Sequence, residues 1–496
     1  MNPLKKLAGQ TAIYGLSSIV GRLLNYFLVP LYTRIFLPAE FGVVTEMYAY
    51  VTFLIIVFTY GMETAYFRFS QSESDPEKVY STSLLSLVGT SSVLLFILIA
   101  FSGPISALMG YQNHPEYITW FALILALDAV TSVPFSRLRH ENKAKRFAFI
   151  KLLNIFINVG FNLFFLVLCP ILQKKGIAGI DSIYNPEIGV GYVFISNLIA
   201  SVVTLLLLFP QFTDTPYRFD KTLWKSMIIY ALPLLIAGTA GMVNETIDRI
   251  LLKYLYPIPS QALVQVGIYG ACYKLSILMT LFIQTFRYAA EPFFFAQAKN
   301  ENSKEVYAQV MKYFVLGCSL IFLCIMLNID SIKFFIGPKF HSGLPIVPIL
   351  LLANLCLGMF FNLSIWYKLS GHTKYGAYLA VYGAVITIVL NIWWIPIYGY
   401  KGCAWATLVC YASMMVISYF IGQKQFPVNY NVKRILSYIG LALLLYALSH
   451  SLQSFNILGK TPLFCINNIF ILMYIGLAYV LEIGRYKNKP KGNEYP

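Results

Sequence analysis

Lys151, Asn154, Asn158 and Asn162 recur at i, i+3, i+7 and i+11, the spacing that sets side chains along one face of an α-helix. An ammonium followed by three amides suits phosphate oxygens and sugar hydroxyls better than a lipophilic cation. Asparagines also join helices inside membranes, so the stripe reads equally as interhelical glue. Gln284, Arg287 and Glu291 form a second group at i, i+3 and i+7, with Lys274 deeper and on a different face. Arg287 is either a ligand for an anion or a side chain that reaches to the water interface.

These groups interrupt strongly apolar runs. A charge at the centre of a bilayer costs ~2.5–3.5 kcal/mol even on insertion scales, so it normally faces protein or water. Arg22 lies mid-run beside Ser17, Ser18, Gly21 and Asn25, and Asp128 lies near the middle of another run. They either pair to fix helix packing, or Arg22 lines a cavity that takes an anion. The carboxylates Glu46, Asp128, Glu245, Asp248 and Glu291 keep ion coupling or gating open.

Fourteen apolar stretches must position these residues: about 8–33, 41–66, 80–103, 116–136, 147–171, 187–210, 224–247, 265–290, 308–328, 345–368, 375–396, 398–422, 434–452 and 462–483. A hydrocarbon core of ~30 Å needs ~20 residues of helix, and each stretch is long enough. The joining loops are too short for a soluble domain. The mean hydropathy of +0.67 agrees, as does a charged fraction of only 12% against about a quarter in soluble domains. The expected class is an all-α membrane protein with 14 transmembrane helices.

The net charge of +16 orients the chain rather than binding nucleic acid. With a cytoplasmic N-terminus, 24 of the 37 Lys and Arg residues fall on the inner side and nine on the outer side. The other four, Arg22, Lys151, Lys274 and Arg287, lie within or at the edge of spans. The positive-inside rule then places both termini in the cytoplasm. The first apolar run is too long for a signal peptide and has no small-residue cleavage site, so it reads as a retained helix. All eight cysteines lie in apolar spans with no CxxC spacing, and need no metal or redox explanation. No P-loop, no HExxH and no large outer loop suggests ATPase, metal or transferase chemistry. Neither catalysis nor a cofactor is expected.

Spans 1–6 and 7–12 resemble two copies of one unit. Lys145 precedes Asn162 by the same 17 residues that separate Lys374 from Asn391. Between them Ala148 aligns with Ala377 and Phe149 with Tyr378. Gly42 and Tyr48 align with Gly267 and Tyr273. Six is even, so the copies share an orientation about an axis along the membrane normal, with a cavity expected between two rocking lobes. The expected lobes are residues 1–213 and 214–425, with 426–496 adding two helices and a basic tail. Gly15, Gly21 and Pro30 in span 1, and Pro233, Gly238 and Gly241 in span 7, are bending signals that suit gate helices.

Val243-Asn-Glu-Thr-Ile-Asp-Arg-Ile-Leu-Leu252, followed by Val266-Gly-Ile-Tyr-Gly-Ala-Cys-Tyr-Lys-Leu275, resembles the polysaccharide-transporter (Wzx-type) branch of the MOP flippase superfamily. So do the opening run Gly15–Gly21 through Val29–Ile35 to Phe41-Gly42, and the stretch Asn391–Gly399 leading to Gly402–Ala404. The resemblance covers about 1–425. It implies flipping of an undecaprenyl-pyrophosphate-linked oligosaccharide across the inner membrane, for O-antigen, capsule or exopolysaccharide assembly. It also implies a cationic cavity for the pyrophosphate, with Arg22 and Lys274 as the matching residues. Membrane lipids and polysaccharide polymerase or assembly proteins are the implied partners. The same superfamily contains the lipid II flippase MurJ and the MATE drug exporters, so lipid II and cation-coupled drug export are the alternatives.

Overall fold

The computed structural model describes residues 20–487 apart from 22, 74, 178, 215, 299 and 455–459. Among them every regular element is a helix. Twelve helices are long and apolar enough to cross a membrane, and a bent pair makes a thirteenth span. These thirteen match the second to fourteenth apolar stretches. The first stretch lies largely outside the described residues, its described end being the helix α1 (Leu28–Ile35) and the few residues before it.

The chain divides after Gly270 into two compact units. The first contains α2 (Pro38–Thr59), α3 (Met62–Ser72), α4 (Pro76–Ala100), α5 (Pro115–His140), α6 (Ala144–Leu163), α7 (Gly191–Thr213) and α8 (Lys221–Leu255), and the start of α9 (Pro259–Leu275). Helix starts carry their own signals. Pro38 opens α2 while the Glu40 carboxylate accepts from the Leu37 N–H at 2.7 Å. Asp220 caps α8, accepting from the N–H groups of Thr222 and Leu223 at 2.8 and 3.0 Å. A hydrogen bond from Lys78 helps hold the Asp220 carboxyl below its usual range. α2 and α3 form one span broken at Tyr60 and Gly61, both left-handed, with φ of 34° and 74°. α5 packs on α4 and α7, α6 on α7, and α8 on α2.

α2 and α9 cross almost backbone to backbone. A Cβ on Gly42 would stand 2.0 Å from the Leu263 carbonyl oxygen, and one on Gly267 would stand 1.9 Å from that of Pro38. A Cβ on Gly270 would meet the Thr45 hydroxyl at 2.6 Å. Small residues permit this approach in membranes, where packing replaces the hydrophobic effect as the force between helices. The two glycines aligned by the internal repeat therefore face one another.

The second unit holds the rest of α9, then α10 (Ile277–Gln297), α11 (Ser303–Leu327), α12 (Val347–Leu363), α13 (Ile365–Leu369), α14 (Lys374–Tyr398), α15 (Tyr400–Gln425), α16 (Val432–Ser454) and α17 (Lys460–Lys487). α15 packs on α12 and α14, and α11 on α12, α16 and α17. The last two helices are tied to α11 by polar contacts at two levels. At one, Glu482 accepts from Lys312, from Tyr438 at 2.5 Å, and from Tyr313 and Arg434 at 3.2 Å each. At the other, Asn467 donates to the Leu327 carbonyl at 2.6 Å and accepts from Ser449 at 2.6 Å. Lys312 is 3% exposed. Glu482→Ala therefore strands a buried ammonium, and should lower stability by about 3–5 kcal/mol, seen as an earlier melt of the detergent-purified protein.

Candidate functional site

The helical stripe of span 5 is present on α6, and the structure divides it by environment. Asn162 is fully buried and serves packing: its Oδ1 accepts from the Tyr32 hydroxyl at 2.8 Å, and its Nδ2 donates to the carbonyl and side-chain oxygens of Asn158 at 2.8 and 3.0 Å. Asn158 in turn donates to Oδ1 of the exposed Asn25 at 3.3 Å. Asn154 donates to the Thr204 hydroxyl of α7 at 2.9 Å. The lower half of the stripe thus joins α6 to α7, and the upper half joins it to the end of the first span. An asparagine hydrogen-bonded in this way is satisfied without a ligand.

Lys151 and Asp128 differ from the amides in being exposed. Asp128 stands about 18 Å along α5 from its C-terminal end, and Lys151 about 10 Å along α6 from its start, at 1.5 Å per residue. The two charges interact electrostatically. Asp128 also accepts from Ser201 at 2.8 Å, and the Lys151 ammonium lies 4.1 Å from the Phe135 ring centroid. An exposed pair of opposite charges this deep in a span faces water more cheaply than lipid. Arg22, the expected partner of Asp128, lies outside the described residues.

The carboxylates named from the sequence occupy three kinds of setting. Glu46 has no exposed surface. The Lys253 ammonium donates to both its oxygens at 2.8 and 3.0 Å, and the Tyr111 hydroxyl donates to Oε2. Lys253 also donates to the Met109 carbonyl at 2.5 Å. Lys253 lies past the apolar stretch 224–247, and in the structure it belongs to the last turn of α8. Asp248 is buried, accepting from the Tyr269 hydroxyl at 2.5 Å and from its neighbour Arg249 at 3.1 Å. Glu245, on the open side of α8, has no side-chain hydrogen bond or ion pair among the described residues.

Span 8 departs from the sequence expectation of a continuous helix. It bends by 52° between α9 and α10. The hinge residue Ser276 is buried, donates to the Tyr273 carbonyl at 2.7 Å and accepts from Asn354 at 3.3 Å. Lys274, partly buried, sits two residues before the bend. The hydroxyl that caps its own turn competes with helix continuation, a local cause that hydropathy does not report. On α10, Glu291 accepts from Lys368 of α13 and from Arg287 at 3.4 Å, while the Arg287 guanidinium lies 4.8 Å from the Phe361 ring centroid. Sequence reading grouped Arg287 with Glu291 but missed Lys368, which lies 77 residues further on.

Residues 7–297 match the model of the family described as polysaccharide biosynthesis protein. The uncharacterized membrane protein MJ1375 of Methanocaldococcus jannaschii is 22% identical over 387 residues, covering 77% of this chain and 89% of that protein. Among solved structures, the lipid II flippase MurJ in an inward closed conformation superposes with a TM-score of 0.70 at 12% identity, over 95% of this chain and 99% of that one. An inward-facing multidrug resistance MATE family transporter of the MOP superfamily gives 0.63 at 12% identity, over 82% and 94%.

Proposed function

Because the chain belongs to the polysaccharide biosynthesis protein family within the MOP flippase superfamily, we propose that it flips an undecaprenyl-pyrophosphate-linked oligosaccharide from the cytoplasmic to the outer leaflet of the inner membrane. O-antigen, capsule or exopolysaccharide assembly would consume the product. The family match carries this reading. The exposed Lys151 supports it, because an ammonium donor suits a sugar diphosphate. Alternating access would rock residues 1–213 against 214–425, with both termini in the cytoplasm and the polyprenyl tail left in lipid. Arg22, Lys274 and Arg287 would supply further positive charge along the path. Glu245, unpaired among the described residues, is the carboxylate best placed for ion coupling.

The likeness to the lipid II flippase structure favours one rival cargo, the peptidoglycan precursor. Proteoliposomes loaded with either lipid decide between them, read by access of an external probe to the headgroup. Movement of the undecaprenyl-pyrophosphate oligosaccharide supports our proposal, and movement of lipid II alone replaces it. In the same assay Lys151→Ala should slow flipping at least tenfold with an unchanged melting midpoint. Full activity in that variant would remove Lys151 from the path.

A further inference from the structure

The ion pairs inside the spans are not alike. Glu46 and Glu482 are clasped by tyrosine hydroxyls as well as by ammonium groups, and each has a partner lysine almost wholly enclosed. Withdrawing either carboxylate strands a charge and breaks further hydrogen bonds. Glu291 is held, among the described residues, by cations alone. A single oxygen, Oε1, serves both Lys368 and Arg287. The three side chains are 39%, 26% and 49% exposed respectively, so the pair opens to solvent without burying an uncompensated charge. Two cations sharing one carboxylate leave the cluster one unit positive, and among the described residues no second carboxylate pairs with either.

The cluster rims a narrow cleft between α10, α12 and α13, with Phe286, Phe314 and Phe361 forming apolar walls. Its cavity volume is ≈ 10 Å³, about the space of one water molecule. Asn362 lines this cleft and is 95% buried. Its Nδ2 donates to the Gly358 carbonyl at 3.1 Å, and its Oδ1 is buried with no partner among the described residues. A buried acceptor without a donor is costly, and a water held between Oδ1 and a second acceptor satisfies it. The cleft therefore combines two partly exposed cations at its mouth with a buried, unpartnered acceptor in its lining.

We propose that Arg287 and Lys368 form an anion-binding site in which the Glu291 carboxylate is the resident counter-ion, exchanged for the diphosphate of the cargo when it loads. A diphosphate oxygen takes the place of Oε1 between the guanidinium and the ammonium, and Glu291 turns out to solvent. The water in the cleft donates one hydrogen to Asn362 Oδ1 and the other to the bound anion. The exchange makes occupancy self-limiting. The site is not left as two bare cations when empty, and the returning carboxylate competes with the anion for release. Strong binding without such competition would slow delivery at the far leaflet, because only a modest net affinity permits turnover. This inference rests on the reading that the cargo carries a pyrophosphate.

The test uses the full-length protein in nanodiscs of zwitterionic lipid, titrated calorimetrically with inorganic pyrophosphate, with sulfate as the comparison. Glu291→Gln should bind pyrophosphate at least tenfold more tightly than the parent, and Lys368→Met at least tenfold more weakly, with sulfate changing less in both. Asn362→Leu should weaken binding several-fold. Unchanged or weaker binding by a Glu291→Gln protein with a normal melting curve overturns the exchange, as does an equal gain for sulfate. If Glu291→Gln does not fold, Glu291→Asp serves instead. Its shorter arm cannot keep both cations, so it should bind two- to threefold more tightly, and a parental affinity again overturns the proposal. Loss of the exchange with oligosaccharide flipping intact would leave the functional reading standing. Pyrophosphate exchange without flipping of the oligosaccharide would instead remove the cargo and keep the site.

Discussion

Glu46→Ala should destabilise the protein by about 3–5 kcal/mol, the range seen when one partner of a buried ion pair is removed. The carboxylate has no exposed surface, and its removal takes both oxygens from an ammonium whose side chain is itself only 12% exposed. The ammonium keeps the Met109 carbonyl and the Tyr111 ring, 4.1 Å away, but neither carries a full negative charge. The tyrosine also loses its acceptor. Glu46→Gln/Lys253→Met should recover most of the loss, because an uncharged pair of similar volume restores neutrality without the desolvation of two ions. The measurement is the melting midpoint of parent, single and double variants in one detergent. If Glu46 were an ion-coupling acid, the result would differ: Glu46→Gln would melt normally and lose its response to an ion gradient.

Gly267→Leu should prevent folding, and Gly267→Ala should already cost at least about 1–3 kcal/mol, the range for overpacking a close-packed interior. The first added carbon meets a backbone oxygen at 1.9 Å, and no rotamer can move a backbone atom away. α2 and α9 must separate, and the Gly42 and Gly270 contacts go with them. Gly160→Ala is the internal control. A Cβ there meets nothing within 4 Å, and α6 is continuous at that position. Replacing a helical glycine in open space should be neutral, or stabilising by up to about 1 kcal/mol. Yield of monodisperse protein after solubilisation, compared across the three variants, reads the difference directly.

The sequence by itself determined the class of the protein and the location of thirteen described spans. Apolar length is a one-dimensional property set by bilayer thickness, so a window along the chain captures it. The polar face of α6 was legible for the same reason, since helical periodicity places Lys151, Asn154, Asn158 and Asn162 together before any tertiary contact is known. The equivalence of Gly42 and Gly267 could be read from the repeat, but not that the two residues touch. What each polar group does was decided only in three dimensions. Asn162 and Asn154 spend their hydrogen bonds on Tyr32, Asn158 and Thr204, while Lys151 stays exposed on the same helix. The sequence leaves Glu46 as one of five carboxylates open to ion coupling or gating, and does not show that α8 brings Lys253 to it from 207 residues away. Spacing along a helix reports which side chains share a face. Whether a charge on that face is locked, shared or open depends on which distant helix packs against it, and that is a property of the fold.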